Sequence, residues 1–173
     1  KAEIIDNIKE NGTIILNRDD RFFNYLNRKA RLKKIKIVTF GKDKKSDIYP
    51  LKIIKNKNLI KIFVKIKKQK IVLDVKSINI YNLLASLAVI KEFNLNLNAT
   101  KNIFKNYEPT EGRGKMHLIS RYNKKFKLVD ESYNANPLSV KNAIINFDLI
   151  KNEKFKKYLI LGDMLELGHK SAI

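Results

Sequence analysis

The densest chemistry in the chain lies in DESYNANP, from Asp130 to Pro137: two carboxylates, a phenol and two amides within a few residues. An apolar-leaning run, Phe126 to Val129, leads into it, and Val140, Ile144, Phe147 and Ile150 follow at helical spacing. The stretch therefore reads as a strand, a polar turn and a helix. Asn136 suits the N-cap, and Pro137 suits the first helical position, where its missing N–H costs nothing. Asp130, Glu131, Tyr133 and Asn134 then stand at the carboxyl end of a strand beside a helix N-terminus. In α/β folds this is where polar side chains meet a nucleotide or a sugar.

Other constellations lie outside that turn. Asn79 and Asn82, three residues apart, share a helix face and can offer two amides to one ligand, although asparagines at such positions also cap and turn. Arg113 stands between Gly112 and Gly114, an always-charged forked donor in a flexible setting that is also compatible with a plain linker arginine. Asn17-Arg18-Asp19-Asp20 closes a short apolar run, and Asp163 and Glu166 close another, where capping is the favoured role and a substrate-side contact the alternative. His117 falls inside a strand pattern and His169 near the end of the chain, so neither is assigned a role.

Composition narrows the classes. There is no cysteine, hence no disulfide framework and no thiolate site. No apolar run approaches the roughly 18 residues of a membrane helix, and no signal-peptide pattern opens the chain, so membrane insertion is not expected. The formal net charge of +20 raises a nucleic-acid reading. However, the cations are overwhelmingly lysines spread from end to end among asparagines and isoleucines, residues that all have A/T-rich codons, while arginine is scarce. A solvated lysine surface is the better reading, and no nucleic-acid partner is expected. A basic nucleic-acid-binding fragment is the alternative from a different class.

The elements that must position these residues follow in order. Ile4, Ile5 and Ile8 predict a helix over Lys1 to Lys9, closed by Gly12 at C′. Thr13 to Leu16 reads as a strand, Arg21 to Leu32 as a helix with Phe22, Phe23, Leu26 and Ala30 on one face, and Ile35 to Phe40 as a strand closed by Gly41. Strand, helix, strand with short connections implies a parallel sheet. Leu51 to Ile54, Leu59 to Ile66 and Lys70 to Val75 leave no room for helices between them, so they predict an antiparallel meander. Helices are expected over Ile78 to Phe93 and Thr100 to Tyr107. Pro109, Gly112 and Gly114 then break regular structure, placing a domain boundary and hinge there, with domains over 1–110 and 111–173. Beyond it come strand Met116 to Tyr122, an Asn123-Lys124-Lys125 turn, strand Phe126 to Val129, helix Leu138 to Leu149 and a buried strand Tyr158 to Leu161.

Four stretches in this order resemble the Mur ligases: DESYNANP, LGDMLELG from Leu161 to Gly168, Glu111-Gly112-Arg113-Gly114, and the helix carrying Asn79 and Asn82. Asn17 to Asp20 (NRDD) resembles the family's N-A-D-D. Ile78 stands where the family usually has histidine, and Lys76-Ser77 replaces its usual Gly-Arg or Gly-Leu. The resemblance implies an α/β fold: the end of a central ATPase domain, with a parallel sheet plus a small antiparallel meander, followed by the start of a Rossmann-like C-terminal ligase domain. No G-x-x-G-K-[ST] occurs in the chain, so the phosphate-cradling loop is expected upstream of Lys1 and the piece alone is expected to be inactive.

The resemblance also implies roles. Lys1, in Lys1-Ala2-Glu3-Ile4, matches a lysine that the family carbamylates to help hold magnesium, an oxygen donor of the kind Mg²⁺ prefers. Asn79 and Asn82 would meet adenine, Arg113 the phosphates of ATP, and Asp130, Tyr133 and Asn134 the ribose and adenine side. ATP and Mg²⁺ are the implied cofactors. The wording of the motifs points to the branch that joins D-alanyl-D-alanine to UDP-MurNAc-tripeptide, a cytoplasmic enzyme and a monomer at full length. Another Mur ligase, or a folylpolyglutamate synthetase of the same architecture, is the nearer alternative.

Overall fold

The structure is a computed structural model that describes residues 2–56, 59–76, 79–148, 150, 156–165 and 167. The chain divides into two compact units, Lys1–Tyr107 and Glu108–Ile173. In the first unit the elements run α1 (Glu3–Asp6), β1 (Thr13–Asn17), α2 (Phe23–Leu32), β2 (Lys36–Phe40), β3 (Ile48–Lys55), β4 (Ile60–Ile66), β5 (Gln69–Val75), α3 (Ile80–Glu92) and α4 (Thr100–Asn106). The five strands form one sheet in sequence order. β1 and β2 are parallel from Thr13↔Lys36 to Asn17↔Phe40, and β2 joins β3 in parallel through Phe40↔Ile48. From β3 onward the ladder is antiparallel, with a bulge between Pro50 and Lys52, where a proline lacking its N–H is tolerated.

The two halves of the sheet are buried differently, as their sequences require. In β1 and β2 successive residues face opposite layers. Ile15, Val38 and Phe40 pack with the α3 core, whereas Ile14 and Ile37 pack with Ile5, Ala30 and Leu26 of α1 and α2. A parallel strand covered on both faces reads as an unbroken apolar run. The meander alternates instead. Ile62, Val64, Ile66, Ile71, Leu73 and Val75 are buried, while Lys61, Lys70 and Val72 face water. Leu83, Leu84, Leu87 and Ala88 of α3 are fully buried against that inner face, making α3 the main support of the unit.

The first helix is shorter than its isoleucine spacing predicts. α1 ends at Asp6, where the Asn7 side chain donates to Glu3 O (3.0 Å) and Lys33 Nζ donates to the carbonyls of Ile5, Asp6 and Ile8. Those bonds satisfy the helix end early. Gly12 is not its C′ residue, because Asn11 takes the left-handed turn at φ 62. Gly12 is needed for space, since a Cβ there would lie 2.3 Å from Ile8 Cγ2.

In the second unit β6 (Lys115–Arg121) and β7 (Lys124–Asp130) form an antiparallel hairpin, followed by α5 (Pro137–Asp148). The turn is Tyr122-Asn123, both at positive φ (52 and 58), one step earlier than the lysine cluster suggests. Two consecutive left-handed residues match the strand twist of a tight hairpin. Tyr158 to Leu161 forms no strand. It is exposed (Ile160 91%) because no described strand offers it a ladder.

Candidate functional site

In the first unit the polar residues gather at the carboxyl ends of β1 and β2 and at the N-terminus of α3. Asn79 is the N-cap of α3: its Oδ1 accepts from Tyr81 N (2.9 Å) and Asn82 N (3.4 Å). Its acceptor is thereby committed to the cap, and Nδ2 is the part of the amide that a ligand could use. Asn82, one turn in, is exposed. Ser77 and Ile78 lie outside the described residues, as do Lys1 and Glu166.

The loop after β1 is tied to the loop after β2. Arg18 Nε donates to Asp43 Oδ2 (3.3 Å), and Arg18 N bonds Phe40 O (2.7 Å). Asp19 accepts N–H bonds from Lys42 (2.6 Å) and Asp43 (3.2 Å). Burial, then the negative charge of Asp19, pushes the Tyr81 phenol above its ordinary value. Sequence reasoning named Asp19 only within a polar cluster and missed Tyr81 and Lys42. The one local signal was Gly41, placed where backbone and carboxylate must approach closely.

The second unit carries a separate construction. Asp130, the last residue of β7, accepts from Gly112 N (3.0 Å) and Ser132 N (3.0 Å), while its own carbonyl takes Gly114 N (2.7 Å). Tyr133 N returns to Gly112 O at 3.1 Å. Gly112 and Gly114 sit at φ +70 and +91, and a Cβ on Gly112 would stand 2.8 Å from Tyr133 Cβ. Glu111 to Gly114 is therefore stapled to the turn after β7. It lies within the unit that begins at Glu108.

The staple brings Arg113 and Tyr133 together, the guanidinium lying 4.1 Å from the ring centroid. A cation held flat on an aromatic face is pre-oriented, with its N–H edge left for an anion. The side chain and N–H of Ser132, then the N–H of Gly112, hold the Asp130 carboxyl below its ordinary value. Burial, then the Asp130 charge, raises that of Glu131. Asn134 is exposed on the turn, and Asn136 caps α5 through Leu138 N (3.1 Å) and Ser139 N (2.9 Å). Asp163 is exposed. Asp130 thus serves first as the organiser of its own loop, with Arg113, Tyr133 and Asn134 as the groups it presents.

No group of three or more His, Cys, Asp or Glu among the described residues is arranged to hold a metal ion. The described residues do not fit a Mg²⁺ site of their own.

Comparison with known proteins places this geometry. The Mur ligase middle domain family matches residues 1–90. The UDP-N-acetylmuramoyl-tripeptide–D-alanyl-D-alanine ligase of Buchnera aphidicola subsp. Baizongia pistaciae is 27% identical over 176 residues, covering 100% of this chain and 36% of the relative. Among solved structures, a crystal structure of MurF from Acinetobacter baumannii superposes with a TM-score of 0.70 at 21% identity, covering 99% of this chain and 36% of that one. MurF from Thermotoga maritima in complex with ADP gives 0.65 at 18% identity, covering 84% and 32%. The chain spans about a third of the length of these relatives. The structural likenesses show the fold, and the family match over more than half of the chain shows that it belongs to the Mur ligase family.

Proposed function

We propose that this chain contributes part of the ATP site of a ligase that joins D-alanyl-D-alanine to UDP-MurNAc-tripeptide in cytoplasmic peptidoglycan synthesis. The observation that carries the reading is the stapled loop of the second unit, which holds the Arg113 guanidinium on Tyr133 beside the N-terminus of α5. The whole-chain match to a curated relative of that activity supports the choice of substrates. In this reading residues 1–107 belong to the ATPase domain and 108–173 open the C-terminal ligase domain.

In the proposed reaction ATP phosphorylates the terminal carboxylate of the tripeptide, and the amine of D-alanyl-D-alanine attacks the acyl phosphate and expels phosphate. This chain's own residues bind and orient. In the first unit Asn82 and Asn79 Nδ2 offer amides to a purine edge at the start of α3; in the second unit Tyr133 and Asn134 offer a ring face and an amide to a nucleotide. Arg113 supplies a fixed cation for the negative charge that builds on the transferring phosphoryl group. Arg113→Ala in the full-length product of the gene is expected to lower kcat by about a hundredfold or more with a smaller change in KM for ATP. An unchanged kcat would remove Arg113 from the mechanism.

A further inference from the structure

The hairpin of the second unit turns through Arg121-Tyr122-Asn123-Lys124-Lys125-Phe126-Lys127, a stretch with four cations, two aromatics and no acid. That density of charge stands well above the chain's average of +20 over 173 residues. The strand register decides how the groups are arrayed, because cross-strand partners share a face. On one face Arg121 stands beside Lys124 and Ile119 beside Phe126; on the other Ser120 stands beside Lys125 and Leu118 beside Lys127. Cations thus come nearest the turn, with apolar side chains one pair further in. Tyr122 at the turn is 83% exposed, and Leu118 (69%) and Phe126 (50%) are open to water. The Arg121 guanidinium lies 5.1 Å from the centre of the Tyr122 ring, so charge and aromatic surface are presented together. Among the described residues none of these four cations is paired with a carboxylate. The tip therefore pairs unneutralised positive charge with exposed apolar surface, and folding of the hairpin uses neither.

The charge calls for an anionic partner, and the apolar residues choose among such partners. A nucleic-acid strand would satisfy the cations and could stack on Tyr122, yet it would leave the aliphatic Leu118 in water. The boundary of an anionic lipid layer takes both kinds of group: headgroups meet the cations, and apolar side chains enter the acyl edge. A tyrosine suits the plane between them, with its ring apolar and its hydroxyl wet. We infer that the tip of the β6–β7 hairpin is a docking surface for an anionic lipid membrane. Arg121, Lys124, Lys125 and Lys127 meet the headgroups, and Tyr122, Leu118 and Phe126 lie at the acyl boundary. The contact is peripheral, since no described helix is long and apolar enough to cross a membrane. It uses none of the residues assigned to the nucleotide.

The test is co-sedimentation of the full-length product of the gene with vesicles of phosphatidylcholine, with and without phosphatidylglycerol, alongside thermal unfolding. Binding is expected only to the vesicles that contain phosphatidylglycerol, and it should weaken as salt is raised. The double variant Lys124→Gln, Lys125→Gln is expected to weaken it about tenfold or more. Tyr122→Asn keeps a residue suited to the left-handed turn (φ 52) and should weaken binding severalfold with little change in Tm. Lys61→Gln with Lys70→Gln, an equal loss of charge on exposed lysines of the meander, should change it by about twofold at most. No binding to phosphatidylglycerol vesicles, or equal losses for the hairpin and meander pairs, would overturn the inference. So would full binding by Tyr122→Asn, which would remove the apolar half of the surface. Single-stranded DNA bound more tightly than the vesicles, and released by the same hairpin variants, would give the surface to nucleic acid instead.

Discussion

Gly112 shows what a single residue can fix in this chain. Its φ of +70 is open to glycine and strained for other residues, and the space its Cβ would fill is taken by Tyr133 N at 2.9 Å. Gly112→Ala is expected to destabilise the second unit by about 1–3 kcal/mol, measured by denaturant unfolding. Gly114→Ala should cost less in packing, because its nearest neighbour, Glu131 Oε1 at 3.1 Å, ends a side chain that can move. The glycines were legible in the sequence as breakers of regular structure. Their role as a staple was not, because it depends on Asp130, which lies far along the chain.

Glu92 makes a comparable case in the first unit. It bonds Lys36 and Lys67 while only 10% of its own side chain is exposed. The hydrogen bond from Lys36, then that from Lys67, lowers its carboxyl from the ordinary value of 4.5. A depressed acid contributes stability that is complete above 4.5 and is lost as pH falls through the folded value. Glu92→Gln should therefore lower stability by about 1 kcal/mol at neutral pH and low salt, and the gap should close on acidification below pH 4. A constant gap across that range would show that packing, and not charge, is lost.

At the level of elements, α3 explains why the sheet could be read from sequence so nearly. Periodicity gives Leu83, Leu84, Leu87, Ala88 and Ile90 as its apolar stripe, and the first four are fully buried while Ile90 is only partly so. Leu87→Ala is expected to cost about 2–5 kcal/mol by cavity formation, whereas Val89→Ala, on the exposed side at 44%, should cost well under 1 kcal/mol. The meander was legible because Leu51 to Ile54, Leu59 to Ile66 and Lys70 to Val75 follow one another with no room for helices between them. The failures were also physical. The spacing of Ile4, Ile5 and Ile8 could not reveal that Lys33 would satisfy the end of α1 early. An apolar run such as Tyr158 to Leu161 becomes a strand only where another strand meets it. Asn79 and Asn82 were legible as a pair, but the capping bonds that commit Asn79 Oδ1 were not separable from ligand binding by spacing alone.

At the scale of the molecule, the net charge of +20 and the division into two units bear on function in different ways. The charge is spread over lysines across both units, so duplex DNA should bind only weakly at physiological salt. Tight binding with a steep salt dependence would favour the nucleic-acid alternative. The division matters because each unit carries one group of candidate ligand contacts, the α3 turn in the first and the Arg113–Tyr133 loop in the second. The central claim is that the protein to which they belong is a D-alanyl-D-alanine-adding ligase. Its most direct test is phosphate release from ATP by the full-length product of the gene, assayed with UDP-MurNAc-tripeptide in the presence and absence of D-alanyl-D-alanine. The account predicts sustained release only when both are present, with one amide formed per ATP consumed. Turnover indifferent to D-alanyl-D-alanine, or supported instead by a different amine, would contradict it.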